Sequence, residues 1–147
     1  MCSYCGCQDL TAIGRLMAEH VDIVEATGAL RRAALDGDAA AARAAGTVLG
    51  ALLDPHTRGE EAGLFAELAP VDGFGEHIAT LCGEHDDLDE DLAAVIDGDL
   101  GRVEPFVTRL RNHIDREENG LFPAAAIALD AEVLQRLAED PAAERHL

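Results

Sequence analysis

A chain of 147 residues with 48% hydrophobic content has the size and the apolar stock for a single domain with an ordinary core. Its formal charge of -18, from 29 acidic against 11 basic side chains, repels phosphate backbones and anionic lipid surfaces, which disfavours nucleic acid and membranes as partners. One Tyr, no Trp and an abundance of Ala, Leu, Glu, Asp and Arg favour helix over strand, so the expected class is all-α.

In chain order, residues 1–7 form a cysteine-rich segment. A first helix is predicted from Gln8 to about Leu35, with Ile13, Leu16, Met17, Val24, Thr27 and Leu30 drawing one stripe and His20 inside it. Asp36-Gly37-Asp38 supplies a turn and an N-cap. A second helical run carries Val48, Leu49, Leu52 and Leu53. Pro55 is expected to kink it or make it restart just before His56, because proline lacks a donor and crowds the carbonyl four residues earlier. Residues 70–75 read as a loop. Ile78, Leu81, Cys82, Leu88, Leu92, Val95 and Ile96 mark a third helix with His85 on its apolar face, ending at Asp97-Gly98-Asp99. Phe106, Val107, Leu110, Ile114 and Leu121 define a fourth, whose end Pro123 should disturb. Residues 8–128 are thus expected to form an antiparallel up-down-up-down four-helix bundle, because short connections join antiparallel neighbours. Residues 129–147 read as a short C-terminal helix, Asp130 to about Glu139, lying across one end, followed by a frayed tail.

A ten-residue pattern occurs twice, HTRGEEAGLF at 56–65 and HIDREENGLF at 113–122, both HxxxEExGLF. Upstream of each lies a second matched element, EHVDIVE at 19–25 and EHDDLDE at 84–90. The chain reads as one two-element hairpin written twice, and the duplication assembles His20, His56, Glu60, His85, His113 and Glu117 about a pseudo-twofold axis. In a helix, residues i and i+4 share a face with Cβ atoms about 6 Å apart. His56 with Glu60, and His113 with Glu117, therefore each aim two ligands at one point. Burying four imidazoles and two carboxylates without a basic partner would cost several kcal/mol per ion, and bound cations remove that cost.

Imidazole with carboxylate and no thiolate suits iron, manganese or zinc. Six ligands imply a dinuclear centre, with a carboxylate from each half bridging both ions and open positions left for an exogenous ligand. Glu61 and Glu118 are repeated as well, and either member of each Glu-Glu pair is a candidate bridge. The i+4 residue points closer to its His, whereas the i+5 residue lies about 100° further round and suits an acceptor behind a ligand. Glu19 and Glu84 are read as surface groups or as such acceptors.

The set His20, His56 with Glu60, His85, His113 with Glu117, followed by LFP at 121–123, resembles the hemerythrin or HHE cation-binding family over nearly the whole chain. The resemblance implies a four-helix bundle around a non-haem di-iron centre, two oxo- or hydroxo-bridged iron ions, with the four His as terminal ligands and Glu60 and Glu117 as bridges. One departure stands out. Oxygen-carrying members place two His four apart on the third helix, but Leu81 and Asp89 occupy both positions four away from His85. His77, eight residues upstream, lies about 80° round and roughly 12 Å along the axis, too far to substitute. The four-His pattern counts against reversible oxygen carriage and points to reaction with O2, H2O2 or NO, with an extra open position or an oxygen ligand from Asp89.

CSYCGC at 2–7 is a CxxCxC motif. Cys2, Cys5 and Cys7 offer three soft ligands for one zinc or iron ion, with His77 or His146 as fourth; the competing reading is reduced thiols or a disulfide formed on oxidation. Cys82 is read as a core thiol. No apolar run of about eighteen residues and no signal-peptide pattern are present, so a cytoplasmic monomer or homodimer is expected. Two functions follow. One is a scavenger of peroxide or nitric oxide with catalase-like or NO-peroxidase-like activity, acting in oxidative stress; the other is an oxygen, iron or redox sensor using the di-iron centre and the cysteines. A structural zinc bundle is the third.

Overall fold

The computed structural model describes residues 12–139, which are helical throughout apart from short connections, with no strand among them. The long helices are α1 (Ala12–Leu35), α2 (Ala39–Glu60), α3 (Gly75–Ile96) and α4 (Val103–Arg116). A π-helical segment, Glu61–Phe65, and a single α-turn, Ala66–Leu68, extend α2. A second π segment, Glu117–Leu121, joins α4 to α5 (Phe122–Ala128), and α6 (Ala131–Glu139) follows.

On α1 the buried positions Leu16, His20, Ile23, Thr27 and Leu30 follow the helical repeat. The stripe therefore passes through Ile23 rather than Val24, which is half-buried along with Ile13 and Met17. The two Asp-Gly-Asp turns close their helices in the same way. Gly37 (φ 66) and Gly98 (φ 111) take the left-handed conformation. Asp38 N donates to Ala33 O and Gly37 N to Ala34 O, while Asp99 N donates to Ala94 O and Gly98 N to Val95 O, the paired bonds that satisfy orphan carbonyls at a helix end. They differ beyond that: the Asp38 carboxylate caps α2 by accepting from Ala41 N at 3.0 Å, and the Asp99 side chain caps nothing.

The restart expected at Pro55 does not occur, and α2 runs unbroken through it to Glu60. Packing against both α1 and α3 outweighs the one hydrogen bond that proline forfeits. Val48 and Leu52 face outward, at 60% and 38% exposure, so the α2 core stripe is Ala42, Gly46, Leu49 and Leu53. A Cβ at Gly46 would stand 2.9 Å from Ile96 Cγ1, which makes this glycine the condition for the close approach of α2 to α3. Pro123 does not end the fourth helix either. It sits in the first turn of α5, where a missing donor is tolerated, and the helix continues to Ala128.

Each long helix packs on the next, and α4 returns to α1. The core divides into two apolar clusters, one including Ile23, Leu30, Leu49, Leu88, Val95 and Phe106, the other Leu16, Phe65, Leu68, Leu81, Leu121 and Phe122. On every long helix the histidine lies in sequence between members of the two clusters, so the imidazoles form a layer separating them. The amphipathic α6 covers the second cluster with Leu134 and Leu137, and Arg15 of α1 donates to Ala138 O at 2.9 Å. Within the first cluster's end, buried Asp91 is held by Arg102 at 3.0 Å and Arg109 at 2.8 Å.

Candidate metal centre

His20, His56, His85 and His113 are at most 5% exposed, and Glu60 and Glu117 are fully buried. Two four-residue groups, His20, His56, Glu60 and Glu117 and then His85, His113, Glu60 and Glu117, each bring their ligand atoms within 4.8 Å of one another. The two glutamates are common to both. His56 Nε2 stands 3.3 Å from Glu60 Oε2, and His85 Nε2 stands 3.0 Å from Glu60 Oε1. Across the axis, His20 Nε2 is 3.1 Å and His113 Nε2 3.4 Å from Glu117 Oε1. None of the four carboxylate oxygens, nor His20 Nε2, makes a well-directed hydrogen bond. Buried polar atoms left this way are rare and costly, and these converge on common points instead of on each other. His85 Nε2 and His113 Nε2 lie 3.1 Å apart, the separation of two nitrogens about 2.1 Å from one ion at nearly a right angle. The donor set and its geometry fit a dinuclear metal centre.

The opposite ring nitrogens are all taken. Glu19 accepts from His56 Nδ1 at 2.7 Å, Glu61 from His85 Nδ1 at 2.6 Å, Glu84 from His113 Nδ1 at 2.7 Å, and Glu118 from His20 Nδ1 at 2.8 Å. Each link runs from one helical arm to the next, from α1 to α2 to α3 to α4 and back to α1, so four carboxylates and four imidazoles close a ring. A carboxylate on Nδ1 fixes the tautomer and turns the Nε2 lone pair inward. Phe65 stacks on His85 at 5.6 Å between ring centroids, and its repeat counterpart Phe122 stacks on His20 at 5.8 Å. The motif HxxxEExGLF can thus be read side chain by side chain. Its His and first Glu face the layer, its second Glu and its Phe orient a histidine on the following helix, and its Leu (Leu64, Leu121) fills the core.

Without a cation the same groups hold protons. Burial pushes the His20 imidazolium down, but the adjacent Glu117 and Glu60 carboxylates outweigh it and lift its pKa to about 10. His56 is lifted to about 9 against burial by the charge of Glu60 and the hydrogen bond to Glu19. Burial raises Glu60, yet His56, His20 and His85 hold it well below the usual carboxylate range. Cations entering this layer must displace those protons.

Both π segments begin at or just after a layer glutamate. A π-turn accommodates one extra residue, a distortion frequent at functional sites, and here it resets which residues face inward beyond Glu60 and Glu117. Asp89, expected as an additional oxygen ligand, is exposed on α3 and belongs to neither group; its carboxyl is pushed up by burial and by nearby Asp54. Leu81, four residues before His85, is fully buried in the second cluster. His77 is half-buried at the start of α3 and outside both groups. Cys82 is only half-buried against the second cluster, less deep than the core thiol expected. Cys2, Cys5, Cys7 and His146 lie outside the described residues. Glu19 and Glu84 were legible as repeats, although their hold on His56 and His113 depends on cross-helix packing. Asp91 gave no sequence signal.

The family description of the hemerythrin HHE cation-binding domain matches residues 11–125. No similar curated protein and no similar solved structure was found.

Proposed function

The chain belongs to the hemerythrin HHE cation-binding family, and from that premise we propose that it is a non-haem di-iron protein that reacts with small oxygen or nitrogen species, above all hydrogen peroxide. The observation that carries the reading is the pair of fully buried glutamates whose oxygens accept no directed hydrogen bond while four imidazoles converge on them. His20 and His56 would hold one iron, His85 and His113 the other, and Glu60 and Glu117 would bridge. Bound there, two iron ions supply a two-electron ferrous–ferric couple.

The chain's own residues then set the conditions. Glu19, Glu61, Glu84 and Glu118 keep the Nδ1 protons in place and the histidines basic. Phe65, Phe122 and the two apolar clusters exclude bulk water. Leu81, in place of a further ligand, supports reaction over reversible oxygen carriage. Disproportionation of two peroxides to water and O2 needs no outside reductant, which favours it over nitric oxide reduction. We propose further that the four arms run up-down-up-down, supported by the order in which α1 and α3 cross the two clusters and the reverse order in α2 and α4. No helix among the described residues is long and apolar enough to cross a membrane, and we place the protein in the cytoplasm as a monomer or homodimer. The CxxCxC segment, with one zinc or iron ion on Cys2, Cys5, Cys7 and His77, supports a second reading, a redox or oxygen sensor.

The test is metal analysis and optical spectroscopy of protein purified with iron, before and after peroxide. About two irons per chain, a near-ultraviolet iron band and sustained O2 release are expected for the scavenger. A spectral change without turnover would favour the sensor, and a colourless zinc-filled protein would end the scavenger reading and leave the sensor or a structural bundle.

A further inference from the structure

The repeat aligns His56 with His113 and Glu60 with Glu117, and the same alignment puts Gly59 opposite Arg116. Arg116 reaches Glu84, with Nη2 to Oε2 at 2.6 Å and Nε to Oε1 at 3.3 Å. Glu84 is in turn the carboxylate on His113, and it is only 17% exposed. In the first half Gly59 has no side chain, and a Cβ there would meet nothing within 4 Å. Glu19, the carboxylate on His56, is 40% exposed, and among the described residues no arginine or histidine other than His56 lies within ion-pair distance of it. Where Arg116 covers the second half, the first half has a groove of about 290 Å³ between α1 and α2, lined by Glu19, Ala51, Leu52, Pro55, His56 and Gly59 among others.

Resting on the two-iron reading above, we infer that the two metal positions are kinetically unequal: the ion on His20 and His56 is the exchangeable one, and the α1–α2 groove is its route. His56 is the moving ligand. Once Glu19 lets go, the imidazole has unfilled space to turn into, in a groove that Gly59, Ala51 and Leu52 line together with the charged Arg15 and Asp22. His113 has no such freedom, because its carboxylate is clamped by a charged, bidentate partner. The asymmetry is built on a symmetric layer by one position in the repeat.

The experiment is stopped-flow extraction of iron from the full-length protein by a soluble chelator, starting from protein whose metal content has been counted. Two phases of equal amplitude are expected, separated by about tenfold, the usual weight of a group supporting a metal ligand from outside. Gly59→Arg should slow the fast phase about tenfold and leave the slow one alone. Arg116→Gly should speed the slow phase until the two merge. A single phase in the wild-type protein, or a fast phase indifferent to Gly59→Arg in a variant that unfolds at the wild-type temperature, would overturn the inference. Fewer than two ions in the starting protein would overturn the two-iron reading itself, with this inference along with it.

Discussion

The two halves of the chain agree in the histidine layer and part company around it. Positions 65 apart on α1 and α3, and 57 apart on α2 and α4, correspond: His20 with His85, Glu19 with Glu84, Glu60 with Glu117, Phe65 with Phe122. Outside the layer the same alignment puts buried Asp91 opposite Ala26, Arg109 opposite Leu52 and Arg116 opposite Gly59. In the second half a buried carboxylate is answered by two arginines of the chain; in the first half the equivalent place is apolar. Among the described residues, Glu60 and Glu117 have no arginine in either half. A buried acid answered by permanently charged arginines serves stability, while a pair faced in both halves by histidines, whose protons a cation can displace, suits a ligand.

The sharpest way to break the comparison is to remove the shared element. Glu60→Ala and Glu117→Ala should each cost both ions, because each glutamate serves both groups; metal analysis showing two ions retained in either variant would mean that the layer is not shared. Asp91→Ala should cost about 2–3 kcal/mol of stability, with or without metal, for its two charge-assisted hydrogen bonds. Denaturant unfolding checks this, and a loss confined to the metal-loaded form would erase the distinction between the two kinds of buried acid.

A third effect is visible only without metal. His20 and His56, with ordinary values near 6.5 and folded values of about 10 and 9, bind protons more tightly in the folded state. Their contribution is complete below 6.5 and is lost as pH rises through 9 to 10. The unfolding temperature of metal-free protein should therefore fall across that interval, while that of loaded protein should hold; parallel curves would contradict the electrostatic account. The smallest difference lies at the turns. Asp38→Ala should cost about 1 kcal/mol for its cap, and Asp99→Ala should fall below the resolution of the same unfolding measurement.

The sequence made the layer legible because its chemistry is spaced by the helical repeat within single helices: His56 to Glu60 and His113 to Glu117 need no knowledge of neighbours. The ring behind them needed that knowledge. Glu19 and Glu84 stand out as repeats, but only the packing of α1 on α2 and of α3 on α4 brings them to His56 and His113. Pro55 was misleading because a local rule about donors and carbonyls was set against burial on two sides of α2. The π segments were hidden, since nothing in EAGLF or EENGL distinguishes them from regular helix by periodicity. Asp91 was one acid among 29, and its burial follows from arginines eleven and eighteen positions away.

The ring of His–Glu links has one place where the covalent chain does not follow it. Loops join α1 to α2, α2 to α3 and α3 to α4, but α4 and its extension meet α1 through side chains: apolar packing, His20 with Glu117 and Glu118 in the layer and Arg31 with Glu104 near one end, at 2.7 and 2.9 Å. Mechanically, the described helices are a sleeve cut along one line and held there by packing and by two sets of polar stitches, one drier, at His20, and one wet, at Arg31. Tension that draws α1 away from α4 loads those stitches before any peptide corner. The drier set belongs to the histidine layer, so opening the seam strips His20 of the carboxylate that orients it.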